Sequence, residues 1–294
     1  KSILISGGTG FIGSRLIDHL LDKDPEVTIT VLIRDQKQSK DRPRVNYCLW
    51  DVDQGTISET VPDDIDTVIH LAGASIAEKR WTRDRKKVLL ESRTKSTDLL
   101  VDWVVSHGRS VRTFVSASAI GWYGEAQKGQ VFVEDDPAGN DFLAEVCVAW
   151  ERASHPLKQQ GVRLVWVRTG LVLHPDGGMW KEMKKAFMFK VAPRFGHGNQ
   201  VFSWISLTDL LHIYAFTAEH ATITGAINAV APYPVPQKVL TRELLRKQSS
   251  LVIPVPIPAI ALKIGLGELS MELLKHAPVS AGKISDLGFV FQHP

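Results

Sequence analysis

An α/β fold organised around a doubly wound parallel sheet is what this sequence predicts, on three observations. A short apolar strand, Ile3 to Ser6, runs straight into glycines spaced GxxGxxG and then into an amphipathic helix. β-branched runs and helical patterns then alternate, with short links, as far as Arg168. That alternation calls for parallel strands joined by right-handed crossovers. Beyond about Thr169 the alternation loosens into segments punctuated by proline and glycine, the reading of a smaller appended lobe.

The opening stretch carries the chemistry. The first helix places Ile12, Leu16, Leu20 and Leu21 on one face, with Arg15, Asp18, Asp22 and Lys23 elsewhere. Gly7, Gly10 and Gly13 let the backbone turn left-handed and approach a ligand without a Cβ in the way. The helix start adds free N–H groups and the positive end of its dipole. Gly7, Thr9, Gly10, Phe11, Ile12 and Gly13 therefore read as a cradle for a dinucleotide diphosphate, and the unit as a Rossmann fold.

Val27 to Ile33 is the second strand. NAD binders place an acidic side chain near its end, on the ribose 2′-hydroxyl. This strand ends at Arg34, which can pair with a 2′-phosphate, so the expected cofactor is NADP; Asp35, next door, competes. Val45 to Trp50 is a third strand ending in Asp51, suited to the adenine amino group and equally to capping the strand. Asp66 to His70 is a fourth, followed by Leu71, Ala72 and Gly73, small enough to let a ribose lie along the backbone. His70, inside an apolar strand, reads as a buried, hydrogen-bonded histidine.

A helix over Arg83 to Ser106 follows, with Val88, Leu89, Leu99, Leu100, Trp103 and Val104 as its apolar set. A strand from Val111 to Ser116, a helix from Asp141 to Gln159 and a strand from Val162 to Arg168 complete a six-strand unit, set at residues 1–170. The remainder, 171–294, reads as a mixed α/β lobe on the substrate side, with stretches such as 201–231 free to return to the first unit and a distinct segment from about 245. Within it lie a turn at Pro175 to Gly178, a Met/Lys/Phe helix, a loop at Pro193 to Gln200, a helix at Leu207 to His220, a strand at Gly225 to Ala231 and the proline-rich Ile253 to Pro258.

Composition bounds the rest. A 44% hydrophobic and 23% charged chain of 294 residues is ordinary for a soluble globular enzyme. The net charge of +3 gives no reason to expect nucleic acid, and the basic cluster Arg80, Arg83, Arg85, Lys86 and Lys87 reads as a solvated or cofactor-facing helix start. Cys48 and Cys147 lie far apart without metal-ligand spacing, so neither disulfide nor metal is expected. No apolar run reaches the ~18 residues of a membrane span. The chain opens within its first strand with no leader, so a reduced cytoplasmic setting is the expectation. Oligomeric state stays open.

Further blocks carry a resemblance. The glycine run through Gly13, His70-Leu71-Ala72-Gly73, Ser116-Ala117-Ser118 with Tyr123-Gly124, and Arg168 to Leu173 resemble the extended short-chain dehydrogenase/reductases, the group of nucleotide-sugar epimerases and dehydratases. Glu91-Ser92-Arg93, Asp141-Phe142-Leu143 with Trp150-Glu151, Ser203-Trp204-Ile205 with Asp209, Asn228 to Pro232, and Leu287-Gly288-Phe289 narrow it to the atypical 39U-type epimerase branch. The resemblance spans nearly the whole chain. It implies an NADP-binding epimerase or oxidoreductase without implying a substrate.

That family works with a serine or threonine after the fifth strand and a helical YxxxK pair, the tyrosine moving the proton and the lysine holding the nicotinamide ribose. Here Tyr47, Tyr123, Tyr214 and Tyr233 are followed four residues later by Asp51, Gln127, Ala218 and Gln237. Aligned through Trp150-Glu151, the pair's places fall to Leu143 and Cys147, and a family asparagine matches Ser92. Ser118 remains to hydrogen-bond a substrate oxygen, or else its own backbone. Tyr123 is the tyrosine nearest the expected nicotinamide and the candidate substitute acid. Asp141 is an N-cap or a partner of cofactor ribose hydroxyls, and Arg93 steadies a phosphate or its own helix. Trp204 lines the pocket or packs in the core, and Cys147 reads as a small buried hydrophobe.

Two functions follow from the resemblance. One is an NADP-dependent epimerase or oxidoreductase acting on a small polar substrate. The other is a catalytically silent module that reads the NADP/NADPH pool.

Overall fold

In the computed structural model, residues 1–108, 110–178, 191–246 and 253–294 are described. β1 (Ser2–Ser6) is buried at all five positions and stands inside an eight-stranded sheet. Beside it run β2 (Thr28–Ile33), β3 (Val45–Asp51) and the short β4 (Thr56–Ile57). On its other side run β5 (Thr67–His70), β6 (Thr113–Ala119), β7 (Arg163–Thr169) and β12 (Gly225–Ala229). All neighbours are parallel except the β3–β4 hairpin. Winding reverses between β1 and β5, and open α/β sheets bind ligands at the carboxyl ends of strands at such a point.

The strand alternation explains the layers. Ile3 and Ile5 of β1 pack with Leu16, Leu20, Leu210 and Ile213 on one face, beneath α1 (Phe11–Lys23) and α4 (Leu207–Glu219). Leu4 packs with Leu100, Val104 and Phe114 on the other, beneath α2 (Arg83–Ser106), with α3 (Phe142–Ala153) beside it. The six expected strands and the Gly225–Ala229 strand are present, the last joined to β7.

Three expectations need correction. The helix expected over residues 141–159 ends at Ala153 and passes into a tighter 3₁₀ turn, His155–Gln160. Pro156 has no amide to donate, and the Ser154 hydroxyl donates 2.8 Å to the Glu151 carbonyl, which ends the α-helical ladder. On α2, Val88 is 46% exposed, and the buried face instead includes Arg93, Ser96 and Thr97. The loop expected at Pro193 to Gln200 begins as a strand, β9 (Val191–Phe195).

Outside the large sheet, β8 (Leu171–His174) pairs in parallel with β11 (Trp204–Ser206), and β10 (Val201–Phe202) pairs antiparallel with β13 (Val235–Pro236). β9 pairs in parallel with the proline-rich β14 (Ile253–Ile257) to start the lobe. Ile253, Val255 and Ile257 face β9 in this register, so Pro254 and Pro256 fall on the opposite edge. On the far side of β9 the buried amide of Gln237 acts as a third strand, donating 2.9 Å to the Pro193 carbonyl and accepting at 3.3 Å from the Phe195 amide. α5 (Gln237–Arg246), α6 (Ala259–Leu266) and α7 (Leu269–Leu274) cover this ladder around Phe195, Phe202, Leu240, Leu244 and Leu262. The turn near Pro175 to Gly178 is present, and the Met/Lys/Phe helix lies outside the described residues.

The last residues, including α8 (Gly282–Asp286), return to the first unit. Fully buried Asp209 accepts from the amides of Gln292 (2.7 Å) and His293 (3.0 Å) and from the Ser206 hydroxyl. The Lys283 ammonium donates 2.6 Å to the Ala226 carbonyl. Among the described residues no helix is long and apolar enough to cross a membrane.

Candidate functional site

The glycine turn sits at the switch point between β1 and β5. Gly7 has φ +72°, and a Cβ there would lie 2.7 Å from the Leu71 carbonyl carbon. A Cβ on Gly13 would collide with the Gly7 carbonyl oxygen, so the two glycines let helix and turn pack at backbone contact. Gly10 is the N-cap of α1 and offers no side chain to it, and the first turn holds no acidic residue. The amides of Phe11, Ile12 and Gly13 precede any helical carbonyl and point out of the helix start, beside exposed Thr9 and Gly10. The turn offers backbone donors without partners within the helix, the chemistry a diphosphate asks for. Phe11 is held by Arg15, whose guanidinium stands 4.7 Å from the ring centre, and by His174 at 5.6 Å.

At the end of β2 the exposed Arg34 makes no side-chain hydrogen bond or ion pair among the described residues, and its amide is held by Gln38. Its competitor Asp35 turns away to cap a short 3₁₀ turn by accepting from the Lys37 amide. Asp51 takes the capping alternative: one carboxylate oxygen accepts from the amides of Asp53 (2.9 Å) and Gln54 (3.0 Å).

Leu71, Ala72 and Gly73 follow β5 immediately, with the Leu71 amide continuing the ladder to the Ser6 carbonyl. His70 is the buried histidine expected. Its ring meets Ser6 at 2.6 Å and Thr97 at 3.0 Å, and burial pulls its pKa down to about 3. Arg93 of α2 lies under Gly73, donating to the carbonyls of Leu89 (2.9 Å) and Ala74 (3.1 Å). Ser92 accepts from the Ala74 amide at 3.0 Å. Most of the basic cluster is spent on neighbours: Arg85 on the Ser75 carbonyl and Glu78, Lys86 on Glu268, Lys87 on Glu91.

Burial encloses both candidate catalytic hydroxyls. Tyr123 is 0% exposed, stacks on Phe132 with ring centres 4.9 Å apart, donates 2.8 Å to Asn228 and accepts 3.1 Å from Arg168. Burial pushes its phenol up to about 12, and no face is left for a substrate. Ser118, 3% exposed, donates a hydrogen bond to Glu151 at 2.7 Å. Asp141 takes its capping alternative, accepting from the Ala144 amide at 3.0 Å, and its other oxygen receives the Lys275 ammonium at 2.7 Å. These two contacts clasp α3 to the lobe. Leu143 and Cys147 are both buried, with the thiol raised to about 12 by burial and by the charge of Glu151. Trp204 packs into the lobe and donates 3.3 Å to the Tyr233 carbonyl.

The sequence reading missed what these residues build together. Ser118, Glu151, Arg168, Tyr123 and Asn228 form one buried polar network, with Glu134 accepting from the Asn228 amide at 2.8 Å. The signal was present: a charged residue inside each of two apolar patterns, Glu151 and Arg168, asks for a partner. Among the described residues no group of three or more His, Cys, Asp or Glu could hold a metal.

Comparison with known proteins decides the family. Residues 3–229 match the model described as "NAD dependent epimerase/dehydratase family". The chain belongs to this family. Residues 257–294, the end of the lobe and its return, match a domain of unknown function, DUF1731. Epimerase family protein SH2119 of Staphylococcus haemolyticus is 35% identical, covering 100% of this chain and 95% of that protein. Epimerase family protein Mb2239 of Mycobacterium bovis is 34% identical over 99% of this chain and 93% of its own length. The fold is similar to human epimerase family protein SDR39U1, crystallised with NADPH, at a TM-score of 0.85 and 26% identity over 100% of this chain and 96% of that one. The 39U-type branch read from the sequence blocks is borne out, as is the Rossmann fold of this epimerase family.

Proposed function

We propose that the protein binds NADP(H) and acts as an epimerase-type oxidoreductase or isomerase on a small polar substrate, without a YxxxK pair. The observation that carries the cofactor reading is the donor-lined glycine turn with Arg34, its side chain without a partner among the described residues, at the end of the adjacent strand. Backbone amides of residues 9–13 grip the diphosphate, and Arg34 selects the phosphorylated ribose. Family membership supports a nicotinamide dinucleotide, and the NADPH carried by the human relative supports its phosphorylated form. When bound, the nicotinamide supplies or accepts the hydride. The chain's part is to orient it against the strand ends while the lobe, clasped by Lys275 and Asp141, covers the substrate.

Calorimetry with NADPH, NADP and NAD tests the cofactor. Preference for the phosphorylated pair is the expected outcome, and absence of heat with all three sinks the proposal. Turnover against sugar nucleotides, aldehydes and ketones tests the chemistry.

A second reading, a catalytically silent NADP(H) sensor, is favoured by one observation: both candidate hydroxyls are sealed and the YxxxK places are apolar. Tight cofactor binding with no turnover across the panel would establish it over the enzyme.

A further inference from the structure

Two buried donors border one cavity on the side of α3 where the YxxxK pair is missing. Leu143, Cys147 and Trp150 lie at i, i+4 and i+7, hence on one helical face. The first two wall the cavity with Ile76, Leu89, Ala119 and Val146 and bring no cation. Trp150, 6% exposed, also lines it, and its indole N–H has no partner among the described residues. An indole nitrogen can only donate, so this group asks for an acceptor.

Arg93 comes from the other helix, α2, to the same place. It is 7% exposed, and its guanidinium lies 4.9 Å over the Trp150 ring. Among the described residues no carboxylate pairs with it. Of its five N–H groups, two go to the carbonyls of Leu89 and Ala74. Gly73 keeps the strand-end side open: a Cβ there would press to 3.2 Å from the guanidinium carbon. The cavity has room of about 20 Å³, enough for one oxygen atom.

We propose that Arg93, backed by the Trp150 N–H, takes over the work of the absent lysine and hydrogen-bonds a hydroxyl of the nicotinamide-side ribose. This rests on the NADP(H) reading above. The cation is supplied from α2, one turn along the same α3 face, and it lies against the Gly73 backbone. The apolar side chains of the walls leave these two donors to hold a single hydroxyl.

The test uses the full chain and calorimetry with a ligand ladder: 2′-phospho-ADP, which ends at the diphosphate, 2′-phospho-ADP-ribose, which adds the distal ribose, and NADPH. Arg93→Met is expected to weaken the two ribose-bearing ligands roughly 10- to 100-fold, the loss of one charge-assisted hydrogen bond, while 2′-phospho-ADP binds as before. Arg93→Lys should recover part of the loss, and Trp150→Phe should show a smaller loss of the same pattern. An unchanged ladder in Arg93→Met overturns the proposal, and so does an equal loss for all three ligands. Should Arg93→Met fail to fold, the lysine and phenylalanine variants decide on the same pattern. If the unaltered protein binds none of the three, the NADP(H) reading itself has failed.

Discussion

Arg168 and Glu151 meet as a two-pronged pair, Nε to Oε1 at 2.9 Å and a terminal nitrogen to Oε2 at 3.0 Å, with both side chains almost wholly enclosed. The guanidinium also lies 3.8 Å over the Trp122 ring and donates to the Glu134 carbonyl. One pair thus joins β7, α3 and the loop after β6. Removing either partner leaves a bare charge inside the protein. Glu151→Gln is expected to cost about 3–5 kcal/mol in urea unfolding, and the double variant Glu151→Leu/Arg168→Met less than the sum of its two single changes. Full additivity would show that the two do not act as a pair.

Tyr123→Phe and Ser118→Ala separate structure from chemistry. Each removes a hydroxyl whose neighbours are buried, so each should lower stability by about 1–3 kcal/mol. Neither should change cofactor affinity or, once a turnover assay exists, kcat. A selective loss of kcat with unaltered stability would restore the tyrosine or serine to the chemistry.

Gly13→Ala drives a methyl into the Gly7 carbonyl and so pushes helix α1 off the turn. NADPH affinity should fall by at least about tenfold, an energy of ~1.4 kcal/mol, because the amides of the turn lose their common aim. Thermal shift with and without NADPH reads it; an undiminished shift would contradict the cradle.

Arg34→Ala addresses the phosphorylated ribose alone. Affinity for NADPH should drop roughly 10- to 100-fold while that for NADH stays level, the loss of one charge-assisted contact. Calorimetry with both cofactors gives the answer, and equal effects on the two would remove Arg34 from the selection.

His70 gives the stability a pH dependence of known sign. Its folded pKa is lowered to about 3 from 6.5 by burial, so between those values the unfolded chain binds a proton that the folded one refuses. Stability contributed by the neutral ring is full above pH 6.5 and is lost as pH falls toward 3, at most about 1.4 kcal/mol per unit. Urea titrations at pH 7 and 5 should show a shallower slope in His70→Gln than in the unaltered protein.

What the sequence told depended on how local the cause was. The glycine turn was legible because residues 3–13 contain the whole device, strand, glycines and helix. His70 and Cys147 were read correctly as buried, since an apolar pattern around a single polar group is informative by itself. The enclosure of Tyr123 was not legible because it is set 105 residues away, by Asn228, and 45 residues away, by Arg168. Asp141 was ambiguous for the same reason: its partner Lys275 belongs to the lobe. The strand at Pro193 was hidden because prolines weigh against a strand, yet Gln237 supplies the outer hydrogen bonds that a neighbouring strand would have made.

Pro254 and Pro256 give the small ladder of the lobe a property of its own. With no amide hydrogen at either residue, the rim of β14 away from β9, which carries no further strand among the described residues, lacks the donors a growing template would require. Crowding or partial opening of the lobe should therefore not seed fibrils there, so an unprotected margin is kept from recruiting copies of itself.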